Sequence, residues 1–374
     1  MRKLNKALAV IMAAAMTAAT IAGCGGSSSG SGGASTEAAK TETQAEAKTE
    51  AAKTEETKAA EAAPDDYHLE LKLSHVFAPN EALTKNMQKI ADNVRERTNG
   101  AIDIQCFPQS QLPVYQDGVA QVAQGANFIS VEDPSYLADY VKDFNVLAGP
   151  MLVTSYDQYQ YLLTTPEVLD METKLEEQGI KILNLGYIFG FRSMMTNKVI
   201  EKPEDLVGMK IRTPKSELYV NTINAMGATA TPMGFADTIS AVQQGVVDGL
   251  EGTIDAYGSN GSAEVAKNMA LTKHLLGVCG AYINVDVYNN IPEEYRTILQ
   301  EEFDKGAVEM VKEITENEKS QMEALEKDQG IKFNEVDSAA FQEKIAPLYK
   351  DMEENKGVTP GLYDKFQDYI KNMK

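Results

Sequence analysis

The sequence predicts an α/β protein of two lobes, each a mostly parallel sheet with flanking helices, joined by a long helix spanning both lobes. Three observations carry this. Apolar residues switch between alternation, the spacing of a strand, and recurrence at three and four, the spacing of a helix, in the order strand–helix–strand–helix–strand from residue 69. The same order returns lower in the chain, from residue 180. Finally, Pro292 opens a helical pattern that runs to about residue 328, where Gly330 stops it. At about 1.5 Å per residue this helix is on the order of 55 Å long, more than one lobe can cover.

The elements follow one by one. Leu69, Leu71 and Leu73 alternate with Glu70 and Lys72 as a half-buried strand. Asn80 is placed to cap a helix carrying Leu83, Met87, Ile90, Ala91 and Val94, and Asn99-Gly100 ends it. Strand 101–107, helix 116–124 and strand 127–131 complete a βαβαβ unit. In the second half, strands fall at 180–188, 192–197 and 209–213. A short helical turn spans 203–206, and helices cover 216–226 and 236–244, before Val246-Val247. The implied division is 67–188 with about 279–316 in the first lobe, and 189–278 with about 317–374 in the second.

Composition removes several function classes. The 374 residues include 35 basic and 55 acidic side chains, a net charge of −20. Phosphate-backbone binding needs a basic stripe, so nucleic acid is not an expected partner. Three His, at 68, 75 and 274, show no HExxH or Cys/His spacing, and no Walker or GxGxxG loop occurs, so neither metal nor catalytic residues are expected. His75 follows the first strand and reads as a satisfied structural histidine or a cleft residue. Cys106 and Cys279 read as buried free thiols.

The first 66 residues differ from the rest. Arg2, Lys3 and Lys6 precede an uncharged apolar run from residue 7 to 22, and Ile21-Ala22-Gly23-Cys24 closes it. That run is short for a membrane span and has the form of a signal peptide. Its end resembles a bacterial lipobox, which implies a signal peptide over 1–23 and lipidation at Cys24. Residues 24–66 are Gly/Ser-rich and then rich in Ala, Lys, Thr and Glu, with no apolar face, as expected of a disordered tether. Residues 1–23 carry three basic groups and 24–66 four Lys against nine acids, which leaves −18 on the folded part. A tethered two-lobed α/β domain outside the cytoplasm suits a binding protein that closes on a ligand between its lobes.

Two stretches make a family resemblance specific. They hold Gly190-Phe191-Arg192, Pro203-Glu204-Asp205-Leu206, Gly208-Met209-Lys210-Ile211-Arg212-Thr213-Pro214, Gly227-Ala228, Thr231-Pro232-Met233 and Gln243-Gln244-Gly245-Val246-Val247-Asp248-Gly249-Leu250-Glu251. With ERTNG and PQSQL upstream, they resemble the DctP-type substrate-binding proteins of tripartite ATP-independent periplasmic (TRAP) transporters over residues 68–350. The resemblance implies a periplasmic-binding-protein-like fold and no cofactor. It also implies capture of an organic acid for delivery to the small and large subunits of an ion-gradient-driven permease. A binding protein of an ABC importer or of a sensor system would use the same lobes. An extracellular enzyme on carboxylates would need an acid/base pair or metal.

The resemblance also implies the site. Arg212 would fork the ligand carboxylate and Arg192 would assist, a geometry suited to the planar guanidinium. On the strand, Lys210 and Arg212 share one face. Phe235 would pack on the ligand body, and Glu132 would accept from a ligand hydroxyl or amine. Relatives often place an Asn after Gly249-Leu250-Glu251. Here Gly252 stands there, so either Thr253 substitutes or the site is more open. Relatives also often have Glu and Tyr where this chain has Asp237 and Ile239. Asp248 and Glu251 look structural.

Overall fold

A computed structural model describes residues 66–373. The expected signal peptide, lipidation at Cys24 and the tether lie outside the described residues, except that the tether's last residue, Asp66, is described. The first lobe begins with strand β1 (Leu69–Ser74), helix α1 (Ala82–Arg97), β2 (Ile102–Phe107), α2 (Tyr115–Ala123) and β3 (Phe128–Glu132). Helices α3 (Tyr156–Leu162) and α4 (Pro166–Glu176) lead into a 17-residue strand, β4 (Ile180–Thr196). The second lobe contains β5 (Lys210–Thr213), α5 (Glu217–Ala225), β6 (Thr229–Pro232), α6 (Thr238–Gln243), β7 (Gly249–Gly252) and α7 (Ile254–Ser259). Strand β8 (Asn268–Asn284) returns to the first lobe. Helix α8 (Glu293–Gln329), β9 (Lys332–Asn334), α9 (Pro347–Asn355) and α10 (Leu362–Asn372) complete the chain.

The strands lie in the order β2-β1-β3-β8-β4-β7-β5-β6, with β9 on β8. The expected parallel sheets are present at the two ends: β1 pairs in parallel with β2 and β3, and β5 with β6 and β7. The middle corrects the expectation. β4 and β8 run through both lobes in opposite directions, so β3–β8, β4–β8 and β4–β7 are antiparallel and the sheet is mixed. What the pattern reads as two strands, 180–188 and 192–197, is the single β4. Gly190 sits between them at φ +113°, where only glycine is comfortable, but the ladder shifts register there rather than ending. β8 was not expected. Its near-continuous burial is that of a strand covered on both faces.

Other boundaries move by a few residues. Glu81 replaces Asn80 as the cap of α1, and its carboxylate Oε1 accepts from the Ala78 N–H at 2.7 Å. The expected helix over 236–244 is a 3₁₀ turn, Phe235–Asp237, followed by α6, and after Val246-Val247 comes the strand β7.

The long helix spans both lobes. Leu299, Phe303, Ala307, Met310 and Ile314 of α8 join the first-lobe core around β1 and α1. Leu325 joins the second-lobe core with Leu250, Tyr257 and Met269. Gly306, mid-helix, does not break it: α1 crosses at this point, Asn86 Nδ2 donates to the Gly306 carbonyl at 3.0 Å, and a side chain at 306 would collide with Ile90. The C-terminal helices pack against helices of both lobes. Tyr349, Met352, Leu362 and Phe366 of α9 and α10 pack in the cluster that holds Tyr159, Leu162, Val168 and Met171 of α3 and α4, beside Leu218 and Tyr219 of α5. Burying that apolar face against the first-lobe helices takes precedence over chain proximity.

β4 and β8 pair Gly190 with Gly277. A Cβ on Gly277 would stand 2.7 Å from the Gly190 carbonyl oxygen and 2.8 Å from the Phe189 ring. Gly277→Ala should therefore cost about 1–3 kcal/mol by overpacking, read as a shifted urea midpoint at unchanged slope.

Candidate functional site

The parallel strands of both lobes end at one cavity, partly open to solvent. The first lobe contributes Val76, Phe77, Glu81, Tyr115, Glu132, Asp133 and Tyr136, and the second Arg212, Pro214, Tyr219, Phe235, Leu250 and Glu251. Four of the five expected binding residues, Arg212, Arg192, Phe235 and Glu132, line it together. Thr253 does not. It caps α7, its hydroxyl accepting from the Ala256 N–H at 3.3 Å, and it is buried behind the wall. Gly252 itself lines the cavity, and a Cβ there would stand 3.2 Å from Met195 Cε, so Met195 fills the space beside it.

Arg212 stands on β5 between β6 and β7 and is 2% exposed. Lys210, two residues earlier, emerges into solvent at the strand's start, so the face they share is wet at one end only. Arg212 Nη2 donates to the Met233 carbonyl at 2.9 Å, and its guanidinium lies 5.5 Å from the Phe235 ring centroid. Its Nε has no protein partner, and among the described residues no carboxylate pairs with it. Burial accordingly pulls its pKa down, with Tyr115 and Glu251 opposing.

Arg192 is placed differently. Its Nε donates to Glu251 Oε2 at 2.6 Å and its Nη2 to Oε1 at 2.7 Å, a two-pronged pair between β4 and β7. Burial alone would raise the Glu251 carboxyl, but Arg192 and His274 hold it at about 2. His274 Nε2 lies 3.5 Å from Glu251, and its Nδ1 bonds the Thr272 hydroxyl at 2.8 Å. Glu251 is thus structural as expected, and so is Asp248, which accepts from the Lys210 N–H at 2.7 Å. His75 is fully buried beside Phe77, away from the cavity wall, with neither ring nitrogen partnered by protein. Burial lowers its pKa to about 4. Cys106 and Cys279 are both free; Cys279 is buried and lines the cavity, Cys106 is half-buried.

The remaining acids are desolvated. Glu132 is buried, accepts from the Tyr115 N–H at 2.8 Å, and is pushed up to about 8 by burial. Glu81 is likewise raised to about 8. Asp133 is raised by burial although Tyr219 Oη donates to it at 2.7 Å. Tyr115 holds φ at +58°, a strained value for a side chain with a Cβ. In return its N–H reaches Glu132, and its hydroxyl accepts from the Phe235 N–H at 3.1 Å across the cleft. Further cross-cleft bonds are Gln116 Nε2 to the Lys215 carbonyl at 2.8 Å and Ser135 to Ser216 at 2.9 Å. Tyr115, Tyr136, Tyr219, Asp133 and Glu81 were not legible as site residues, because their sequence neighbourhoods carry no motif.

Two outcomes follow. Glu251→Ala removes one partner of a buried pair and should destabilise the domain by about 3–5 kcal/mol in chemical denaturation. Glu132 has a folded-state pKa above its ordinary value, so the folded form binds the extra proton. The stability it contributes is complete below about 4.5 and is lost as pH rises through about 8. Melting temperature should fall across that window, and Glu132→Gln should flatten the fall.

Residues 73–356 match the bacterial extracellular solute-binding proteins, family 7, DctP. The C4-dicarboxylate-binding periplasmic protein DctP of Rhodobacter capsulatus is 29% identical over 300 residues, 77% of this chain and 87% of that one. Among solved structures, a TRAP periplasmic solute-binding protein from Desulfovibrio salexigens, in complex with diglycerolphosphate, is 51% identical with a TM-score of 0.80, covering 82% of this chain and 98% of that one. Another from Fusobacterium nucleatum, with bound sn-glycerol-3-phosphate, is 40% identical with a TM-score of 0.78, covering 81% and 97%. With two α/β lobes closing on a cavity and the family match spanning most of the folded chain, the protein belongs to the DctP family of extracytoplasmic solute-binding proteins, whose role is to deliver solutes to TRAP permeases.

Proposed function

We propose that this domain captures an organic anion between its lobes, with Arg212 as the anion-binding group, and hands it to a TRAP permease. The observation that carries the reading is a buried guanidinium at the cavity wall with an unused Nε and no carboxylate against it. An uncompensated buried charge is costly, and a ligand anion supplies the missing partner. Arg192, already paired with Glu251, assists through its remaining Nη1, and Phe235 packs on the ligand body. Glu132, neutral at neutral pH, can donate as well as accept.

The head group has two readings. A carboxylate follows from the sequence resemblance, and the Rhodobacter relative is named for dicarboxylates. A phosphate ester in the same seat is favoured by the 51% identical neighbour, which carries diglycerolphosphate. The lobes are taken to hinge where β4 and β8 pair Gly190 with Gly277, and the domain to be held at the outer face of the cell membrane by lipid on Cys24.

Calorimetry decides between the heads. A panel of organic acids and phosphate esters is titrated into the domain from Tyr67, and the tightest binder is carried to the variants. Arg212→Ala should cost about 2–5 kcal/mol, roughly 30- to 4,000-fold in Kd. Arg212→Lys should recover part, since an ammonium keeps charge without the fork. Binding of Arg212→Ala within about threefold of wild type would place the anion elsewhere. In cells lacking the permease, Cys24→Ala should release the domain into the medium; retention on the membrane would exclude the anchor.

A further inference from the structure

Arg212 reaches the cavity from the second lobe, and Glu81 reaches it from the first. Glu81 is 2% exposed, at the N-terminus of α1. Its Oε1 accepts from the Ala78 N–H of its own turn, and among the described residues no other side-chain bond reaches the carboxyl. The titratable groups facing it are Asp255 of α7, Arg192 of β4 and Cys279 of β8, whose thiol burial pushes up. Asp255 is occupied: its Oδ2 accepts from the Ala82 N–H at 3.2 Å and its Oδ1 from Gln321 of α8 at 3.3 Å, with Lys85 nearby. On the second-lobe wall Asn260 and Ser262 also line the cavity, and Ser262 takes up Asn260 Oδ1, so Asn260 offers its amide NH₂.

We propose that Glu81 is a specificity-determining ligand residue, which reads a hydroxyl on the body of the captured anion opposite its head. This rests on the anion-capture reading above and narrows its solute class. A hydroxyl both donates and accepts, so it matches this carboxyl in either protonation state. A second acid group at the far end of the solute matches it only while Glu81 keeps its proton. The solute is therefore an anion with a hydroxylated body, and a diacid of the same length is disfavoured increasingly as pH rises. Burial, which holds Glu81 near 8, puts that change within reach of ordinary buffers.

Two matched pairs of probes test this. Gluconate and glucarate share a carbon chain and a carboxylate head but end in an alcohol or an acid. sn-Glycerol 3-phosphate and 3-phosphoglycerate do the same with a phosphate head. Within either pair the affinity ratio cancels effects of pH on the head and on closure. In wild type the acid-ended member should lose at least about tenfold against its partner between about pH 6 and about pH 9. In Glu81→Gln, which keeps a polar amide of the same size, the ratio should move less than about threefold. A flat ratio in wild type, an equal slope in Glu81→Gln, or no binding of any of the four probes to a folded domain overturns the proposal. Arg212→Ala, titrated with whichever acid or ester the panel shows to bind, decides the anion reading separately.

Discussion

Arg192 and Glu251 neutralise one another inside the cleft, and the electrostatics of the site depend on that pair. Glu251 is the one cavity carboxyl held firmly ionised, and both its oxygens are taken. Glu132 and Glu81 are pushed up to about 8 by burial, so near neutral pH they are mainly uncharged. Arg212 is left without a counter-charge in a domain carrying about −18 overall. Distant surface carboxylates are screened over about 8 Å at physiological salt, so the local guanidinium decides what enters. Were Glu251 free to turn to Arg212, the anion seat would be filled from within.

The pair is held by β4, one of the two strands that the lobes share, and by β7 beside it. Arg192 lies just past the Gly190 bulge of β4, and Glu251 lies on β7, which β4 pairs antiparallel. His274, on β8, buttresses Glu251 from behind. One bundle of three neighbouring strands therefore links the lobes mechanically and fixes the charges between them. The long helix α8 braces the same span from outside, packing in the first-lobe core near one end and the second near the other.

Much of this was legible in the sequence. Each βαβ unit is built from local periodicity, and α8 announces itself by Pro292, an unbroken pattern and Gly330. Arg212, Arg192 and Phe235 sit in or beside motifs whose order marks the family, Glu132 ends a strand that the periodicity finds, and all four reach the cavity. What failed depends on distant pairing. β8 is an apolar run whose strand state is set by β3 and β4, and the Gly190 break disappears because Gly277 lies alongside. Thr253 stood at the right place in the chain, but helix α7 claims its hydroxyl as a cap, a local demand that outweighs a ligand contact. The tyrosines and Glu81 have no flanking signal; only the closing of two lobes makes them neighbours.

The cleft bonds across itself without a ligand, through Tyr115 to Phe235, Asp133 to Tyr219 and Ser135 to Ser216. These bonds are few and mostly neutral, each worth about 0.5–1.5 kcal/mol net. Closing also strips water from Glu81, Glu132, Asp133 and Arg212, and each desolvation opposes it. Glu81 and Glu132, held near 8, relieve their share by binding protons, and Asp133 is met by the Tyr219 hydroxyl. A guanidinium has no such recourse at neutral pH, because it keeps its charge. Relief for Arg212 must come from an anion, and that asymmetry is what makes closure answer to the solute: the acids adjust to any closed state, while the arginine favours only a closed state that is loaded.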